Sequence, residues 1–266
     1  MFKHGFQNFS NFRLVLAFSG GLVLLFIVAP LLGLLFGTSP ESLVATINDK
    51  EVTDSIWLTL LTSMAATILM GFGAIPLAYI LARKNFCCRR LILGIIDLPV
   101  VIPHSAAGIA ILAIISRDTV VGKTAGFFDL NLVGHPLGIM AAMAFVSLPF
   151  LINAARDGFA EIPVRLEKAA QNLGASHFKV FFSISLPLAK RSILSGLILM
   201  FARGMSEFGA VIIVAYHPMI TPVLIYERFN SFGLNYARPV ALLFILVCLV
   251  FFIILRMILK EKKLHA

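Results

Sequence analysis

Six long apolar stretches constrain this chain more than any other feature of its sequence. They lie at 14–36, 55–82, 91–116, 138–155, 192–216 and 239–258, and each is free or nearly free of charged side chains. Most reach the roughly 20 residues that an α-helix needs to cross a bilayer. Because 59% of the 266 residues are hydrophobic and only 13% are charged, we expect an all-α polytopic membrane protein and exclude a water-soluble enzyme.

The segments between these stretches are short. The longest, 156–191, is smaller than an ordinary independent domain of roughly 50 residues or more. We therefore interpret residues 1–266 as a single transmembrane domain. Any large catalytic domain would have to belong to another polypeptide.

Basic side chains are unevenly distributed between the two sides of the predicted membrane domain. With the N-terminus placed inside, 16 Lys and Arg residues lie on the inner side, 5 lie outside, and one, Arg203, lies within a helix. This asymmetry predicts a multi-pass protein of the cell membrane with both termini in the cytoplasm. Basic clusters that meet anionic lipid headgroups also explain the net charge of +9, so we expect no nucleic-acid partner.

The tripeptide Gly122-Lys123-Thr124 is the one sequence that suggests a nucleotide site, because a P-loop ends in the same way. The P-loop pattern needs a glycine five residues before Gly122, where Arg117 stands. We therefore expect that this chain does not bind ATP itself. We also expect no bound cofactor or metal and no catalytic residue.

The third stretch contains two prolines, Pro99 and Pro103. A proline inside a helix removes a hydrogen-bond donor and clashes with the preceding turn, so we expect this helix to kink near its middle. Lipid tolerates a broken helix only where protein or a cavity covers the break.

Few ionisable side chains lie within the predicted membrane helices, where such groups are costly. They are Asp97 and His104 in the third helix, and Arg203 and Glu207 in the fifth. Helical spacing places each pair on one face among small or polar neighbours. The residues predicted to line a translocation pathway or gate are Asp97, Val101, His104, Gly108, Arg203, Ser206, Glu207 and Ala210.

Two interpretations of these ionisable groups remain open. In the first, Arg203 supplies positive potential for an anion in the pathway. In the second, Arg203 and Glu207, spaced i, i+4, neutralise one another as a buried pair, and Asp97 or His104 bonds a neighbouring helix.

The segment 156–191 contains a short amphipathic helix. Pro163 suits its start, and Leu166, Ala169, Ala170 and Leu173 share one face. Gly174 is a natural helix stop, and Ser176 is placed to cap a second short helix that runs toward Leu186 and Pro187. The first helix either fits a partner's groove or lies on the membrane surface without a partner.

At this segment the chain is similar to the EAA loop of ABC importer permeases, whose pattern is Glu-Ala-Ala, then Gly, then Leu-Pro. The corresponding residues are Glu167, Ala169, Ala170, Gly174, Leu186 and Pro187. One departure is that Lys168 stands directly before Ala-Ala, where the family has Glu. The sequences DLPVVIPHSAAG (97–108), ARGMSEFGA (202–210) and PMITPVLIYERF (218–229) resemble the molybdate/tungstate branch of these permeases.

The resemblance implies a type I importer permease fold and a subunit with no enzymatic activity of its own. The implied partners are a second copy of the chain, an extracytoplasmic oxyanion-binding protein, and two cytoplasmic ABC ATPase subunits that bind ATP and Mg. The residues it implicates in ATPase coupling are Glu167, Ala169, Ala170, Leu173, Gly174, Ala175, Ser176, Phe178, Leu186 and Pro187. The third and fifth helices of both copies are expected to form the gate.

The implied cargo is molybdate or tungstate, with sulfate as the alternative. Two other classes of protein compete with an ABC permease. An ion-coupled secondary carrier usually has an inverted repeat, and none is visible in the sequence. An intramembrane enzyme would need a nucleophile and a base at suitable spacing, which Asp97, His104 and Glu207 do not provide.

Overall fold

The computed structural model describes residues 3–258, and within that range it is helical with no strand. The helices are α1 (Lys3–Phe36), α2 (Pro40–Asn48), α3 (Lys50–Arg83), α4 (Arg89–Val101), α5 (His104–Ile115), α6 (Val120–Gly126), α7 (Pro136–Glu161), α8 (Val164–Asn172), α9 (His177–Val180), α10 (Leu186–Met205), α11 (Gly209–Val214), α12 (Thr221–Phe232) and α13 (Leu234–Ile258). A π-helical segment, Phe181–Ser185, connects α9 to α10.

Five helical runs in the described residues are long and apolar enough to cross a membrane, and the bent pair α4–α5 would make a sixth span. The predicted stretches at 14–36, 55–82, 138–155 and 239–258 therefore correspond to α1, α3, α7 and α13. The observed helices begin earlier than predicted, because charged and polar residues continue a helix beyond its apolar part. The basic residues from Lys260 onward lie outside the described residues.

Helix α7 occupies the centre of the bundle, between α3 and α10. Its apolar side chains Leu151, Ile152 and Phe159 are almost completely buried. Close approach to α10 depends on Gly158, where an added Cβ would lie 2.3 Å from the Cβ of Ser192. Small residues allow membrane helices to pack backbone against backbone, so α7 provides the rigid frame on which the other spans are arranged.

Helix α1 contrasts with α7, because its apolar side chains are exposed along the described part of its length. In a bilayer such a surface is solvated by lipid chains or by another protein. Its nearest neighbour within residues 3–258 is α13.

The predicted disruption near the middle of the third stretch, 91–116, is confirmed, but it is a break between two helices and not a kink within one. The chain forms two helices, α4 and α5, whose axes are bent by 113° at a break between Val101 and His104. Pro103 has no N–H to donate, and Ile102 before it adopts an extended conformation with φ −73° and ψ 150°. The predicted common face from Asp97 to Gly108 is therefore wrong, because it required an unbroken helix.

The fifth predicted helix, 192–216, is wrong at both ends. A helical run extends from His177 to Met205, so no separate short helix stops at Leu186. Pro187 is accommodated because the π segment before it widens the turn, with the Leu186 N–H bonded to the Phe181 carbonyl. Beyond Met205 the helix breaks, and α11 restarts at Gly209.

Candidate functional site

Helix α8 ends at a well-formed glycine cap. Gly174 has φ +86°, a left-handed conformation that costs little only for glycine. The Ala175 N–H donates to the Ala170 carbonyl at 3.0 Å, and the Gly174 N–H donates to the Gln171 carbonyl at 2.9 Å. These two bonds define a Schellman motif, so the predicted helix stop at Gly174 is confirmed.

The apolar stripe of α8 faces away from the rest of the protein. Leu173 is 90% exposed and Leu166 is 43% exposed, and Ala169 is exposed as well. Ala170, the remaining residue of the predicted stripe, is half-buried, so the stripe is exposed except at this position. An exposed apolar surface of this kind commonly marks an interaction site.

Helix α9 adds a second exposed apolar group beside α8. The predicted cap is confirmed, since the Ser176 hydroxyl accepts a hydrogen bond from the Lys179 N–H at 3.3 Å. Phe178 is 74% exposed, and its ring lies 4.5 Å from that of Phe182. Together Leu166, Ala169, Leu173 and Phe178 form one exposed apolar surface.

Glu167 lies on the opposite side of α8 and is buried. Its Oε1 accepts hydrogen bonds from the Arg83 Nε at 2.9 Å and the Ser185 hydroxyl at 2.7 Å. Its Oε2 accepts a third from the Tyr79 hydroxyl at 3.1 Å. Burial alone raises the pKa of Glu167, but the hydrogen bonds from these three side chains and the charge of Arg83 outweigh it and lower the pKa below the ordinary value.

Sequence reasoning found Glu167 but missed its partners. Tyr79 and Arg83 are spaced i, i+4 near the end of α3, and Ser185 ends the π segment. The i, i+4 spacing is visible in the sequence, but the pairing spans 84 residues from Arg83 to Glu167. Only the folded chain, which brings Glu167 of α8 to the end of α3, identifies this cluster.

Among the predicted pathway residues, Arg203 and Glu207 form a close ion pair. The Arg203 Nη2 lies 2.9 Å from the Glu207 Oε2, and the His104 Nδ1 lies 3.1 Å from the same oxygen. The Glu207 Oε1 accepts the Ala210 N–H at 2.9 Å, which caps the N-terminus of α11. Glu207 is completely buried, and these distances favour the second of the two interpretations, in which Arg203 pairs with Glu207.

Gly108 and Ala210, two of the predicted pathway residues, bring α5 and α11 into contact. A Cβ added at Gly108 would lie 2.8 Å from the Ala210 carbonyl oxygen. One turn earlier, a Cβ added at Gly209 would lie 2.7 Å from the Cβ of His104. Helices α5 and α11 therefore pack as one unit, with His104 at their junction with α10.

Asp97 and Val101 lie on α4, on the other side of the break from His104. The Asp97 Oδ1 accepts a hydrogen bond from the Asn153 amide at 2.6 Å, as expected for an acid that bonds a neighbouring helix. Both Asp97 and Val101 line a cavity of about 400 Å³ against α7. The predicted residues thus form two groups, and Ser206, which is exposed, extends the group around Arg203.

Comparison with known proteins identifies the family of this helical arrangement. Residues 74–263 match the family model described as the inner membrane component of binding-protein-dependent transport systems. The chain belongs to this family. Since the match covers α4 to α13, it includes both the α8 segment and the Arg203 cluster.

Curated relatives give a finer comparison. The molybdate/tungstate transport system permease protein of Pyrococcus abyssi is 43% identical over 83% of this chain and 84% of its own length. The protein of the same name from Methanocaldococcus jannaschii is 41% identical over 89% and 92%. The sulfate transport system permease protein of Synechocystis sp. is 28% identical over 79% and 74%.

Solved structures share the fold. One chain of a bacterial ABC transporter involved in the import of the acidic polysaccharide alginate has a TM-score of 0.74 at 17% identity, covering 98% of this chain and 99% of that one. A chain of the MetNI methionine ABC transporter in an inward-facing conformation has a TM-score of 0.60 at 17% identity, covering 79% and 96%. These likenesses show that the fold of this chain is shared over almost its whole length.

Proposed function

We propose that this chain is the membrane-spanning permease subunit of an ATP-driven ABC importer for molybdate and tungstate. The observation that carries this function is the exposed apolar surface formed by Leu166, Ala169, Leu173 and Phe178, which we call the coupling surface. This surface lies mainly on α8, a short helix that ends in a glycine cap. Its apolar side chains are exposed, while Glu167 on the opposite side of α8 is bonded to the rest of the chain. A partner's groove is the surface that such a helix fits.

In this proposal two copies of the chain form the pathway, and each coupling surface docks on one ABC ATPase subunit that holds ATP and Mg. An extracytoplasmic binding protein delivers the oxyanion. The positive-inside asymmetry supports a cytoplasmic position for α8 and for both termini. Arg83, at the end of α3, and α8 lie at the same end of the bundle, since the Arg83 Nη2 is 2.8 Å from Glu167.

Closure of the ATPases would move α8 and, through the continuous run from α9 to α10, tilt a membrane helix. Helix α10 has 20 residues, which corresponds to roughly 30 Å at about 1.5 Å per residue. Its far end carries Arg203 and the break before α11. A rigid-body tilt at one end can therefore change the packing of α10 against α5 and α11 at the other.

The identity of the proposed cargo rests on the comparison with curated relatives. The molybdate/tungstate permeases are 41% and 43% identical to this chain, against 28%, 30% and 34% for three sulfate permeases, so sulfate is the second candidate. The ion pair with Glu207 neutralises much of the charge of Arg203. We therefore place the selection among similar dianions in the binding protein, with the pathway providing passage.

The docking part of this proposal is tested by Leu173→Glu. Leu173 is 90% exposed, so this change introduces a charge on the coupling surface without disturbing the core. Val120→Glu is the matched control, because Val120 is an 82% exposed apolar residue on α6. Leu173→Glu should abolish copurification of the cognate ABC ATPase while Val120→Glu preserves it; retention of the ATPase by both variants would refute docking at this surface.

The cargo part is tested by competition in proteoliposomes that contain this chain, the ATPase and the binding protein. Uptake of labelled molybdate should be suppressed by equimolar tungstate and only weakly by sulfate. Equal suppression by sulfate would replace the molybdate/tungstate proposal with the sulfate alternative.

The gate is tested by single cysteines introduced at Val101 and at Ser206, both of which are exposed. We expect cross-linking between the two copies at these positions to change when ATP and vanadate close the ATPases. Cross-linking that is indifferent to nucleotide would contradict a gate formed by α4, α5 and α10.

A further inference from the structure

Glu167 lies at the meeting point of four helical elements. It belongs to α8, and its carboxylate is bonded to Tyr79 and Arg83 of α3 and to Ser185 of the π segment. Arg83 also donates to the Ile162 carbonyl at the end of α7, at 3.2 Å. One carboxylate and one guanidinium therefore connect α8 to α3, to α7 and to the start of α10.

Aromatic side chains enclose this meeting point. The Tyr79 ring lies 5.2 Å from the Phe159 ring of α7 and 5.0 Å from the Phe181 ring of the π segment, edge to face in both cases. Such packing holds the Tyr79 hydroxyl at the Glu167 Oε2. The side chains of Arg83 and Glu167 are only 10% and 6% exposed, so water screens their interaction weakly.

Helix α8 has little else to hold it. Among its nine residues, all of which the structure describes, Glu167 is the only buried one. The backbone of α8 packs mainly against the short α9 and the π segment. Without the Glu167 cluster, α8 would connect to the membrane helices chiefly through its covalent ends.

We propose that Glu167 is a positioning residue that makes α8 move together with α3 and α7, and that it does not contact the ATPase. This inference rests on the proposed coupling function and deepens it. The carboxylate is buried and its oxygens are already bonded within the chain, so it is not available to an outside partner. A displacement of α8 is then shared among α3, α7 and α10 instead of reaching α10 alone through the turn from Leu173 to Ser176.

The test is Glu167→Gln, which keeps the size of the side chain and removes its charge. Glu161→Gln is the matched control, because Glu161 is an exposed glutamate at the end of α7. In the reconstituted importer, Glu167→Gln should keep its bound ATPase but import about tenfold less molybdate per ATP hydrolysed, a loss of coupling between sites. The double variant Arg83→Glu with Glu167→Arg should recover part of this ratio, which a general loss of stability would not allow.

Loss of the ATPase from Glu167→Gln, to the extent seen with Leu173→Glu, would overturn the inference and make Glu167 a docking residue. An unchanged ratio of molybdate to ATP would overturn it as well. Hydrogen exchange in the purified chain alone separates this inference from the proposed function. Amides of α8 should exchange about tenfold faster in Glu167→Gln than in Glu161→Gln; equal exchange would refute the anchoring of α8, whereas an unmodified chain that binds no ATPase would refute only the proposed function.

Discussion

Glu167 and Glu207 are both buried carboxylates paired with an arginine, yet they connect different kinds of neighbour. Glu167 is 5% exposed and bonds three side chains from α3 and the π segment. Glu207 is fully buried and pairs with Arg203 one turn before it, with His104 of α5, and with the backbone of α11. The first joins a surface helix to the bundle, and the second occupies a break within a membrane helix.

The same kind of arginine–glutamate pair can therefore serve two mechanical purposes. Around Glu167 the partners come from elements that pack closely, so the pair favours joint movement. Around Glu207 the partners lie on both sides of the helix break at Ser206–Phe208, so the pair neutralises charge where the backbone changes direction. Removing one member of either pair leaves a buried charge uncompensated, and that cost grows with burial.

The largest effect is expected for Glu207→Leu. It leaves Arg203 unpaired in the membrane domain and should lower the free energy of unfolding by about 3–5 kcal/mol. The double variant Arg203→Leu with Glu207→Leu should recover most of this loss, since it removes both charges. Thermal unfolding of the purified chain in detergent measures the difference, and a double variant that is no more stable than Glu207→Leu would contradict the ion-pair interpretation.

A smaller loss is expected for Arg83→Met, which leaves the Glu167 carboxylate without its cation. Glu167 keeps the hydrogen bonds from Tyr79 and Ser185, so we expect a loss of about 2–3 kcal/mol. Lys84→Met, at the exposed neighbouring position, is the control and should change the unfolding free energy by less than about 0.5 kcal/mol. Equal effects of the two substitutions would show that the Arg83–Glu167 pair does not stabilise α8.

Gly108→Ala tests the packing of α5 on α11 beside Glu207. The added methyl group would lie 2.8 Å from the Ala210 carbonyl oxygen and 2.9 Å from the Ile213 Cβ, so we expect a loss of about 1–3 kcal/mol. Gly94→Ala in α4 is the control, because nothing lies within 4 Å of its added Cβ and alanine favours a helix by up to about 1 kcal/mol. The same unfolding assay decides; a tolerated Gly108→Ala would indicate that α5 and α11 separate easily.

Acid provides the mildest perturbation of the Glu167 cluster. The pKa of Glu167 is lowered in the folded chain, with burial opposing and hydrogen bonds causing the shift. The resulting stabilisation is complete above the unfolded pKa of about 4.3 and is lost as the pH falls through the folded pKa. As the pH falls below about 4.3, the melting temperature of the unmodified chain should therefore decrease more steeply than that of Glu167→Gln, while the two should run parallel between neutral pH and about pH 5; profiles that stay parallel below about pH 4 would contradict this assignment of the shift.

Much of the helix order could be predicted from the sequence, because apolar length alone identifies a membrane span. Pro103 predicted that the helix would be disrupted, but a proline does not specify the angle between the two parts. The 113° bend depends on how α5 packs against α11. No proline in the sequence marks the end of α10 at Met205. The break after Met205 depends on the Glu207 carboxylate, which accepts a hydrogen bond from the Ala210 N–H. Helical periodicity in the sequence predicts instead that the same helix continues through this point.

The coupling surface was predictable in part. Periodicity identified the stripe that contains Leu166 and Leu173, and the Gly174 stop followed from the chemistry of helix termini. A periodic pattern cannot tell which face the remainder of the chain covers. The polar side of α8, which carries Glu167, is buried, whereas Leu173 is 90% exposed. This orientation follows from Arg83, whose guanidinium pairs with the Glu167 carboxylate although the two residues are 84 positions apart in the sequence.

The most direct test of the account is the uptake of labelled molybdate by proteoliposomes that contain this chain and its binding protein, with and without the ABC ATPase and ATP. The account predicts uptake only when the ATPase and ATP are present together, and its loss when the chain carries Leu173→Glu. Uptake of molybdate by the chain and its binding protein alone, driven by an ion gradient, would contradict it.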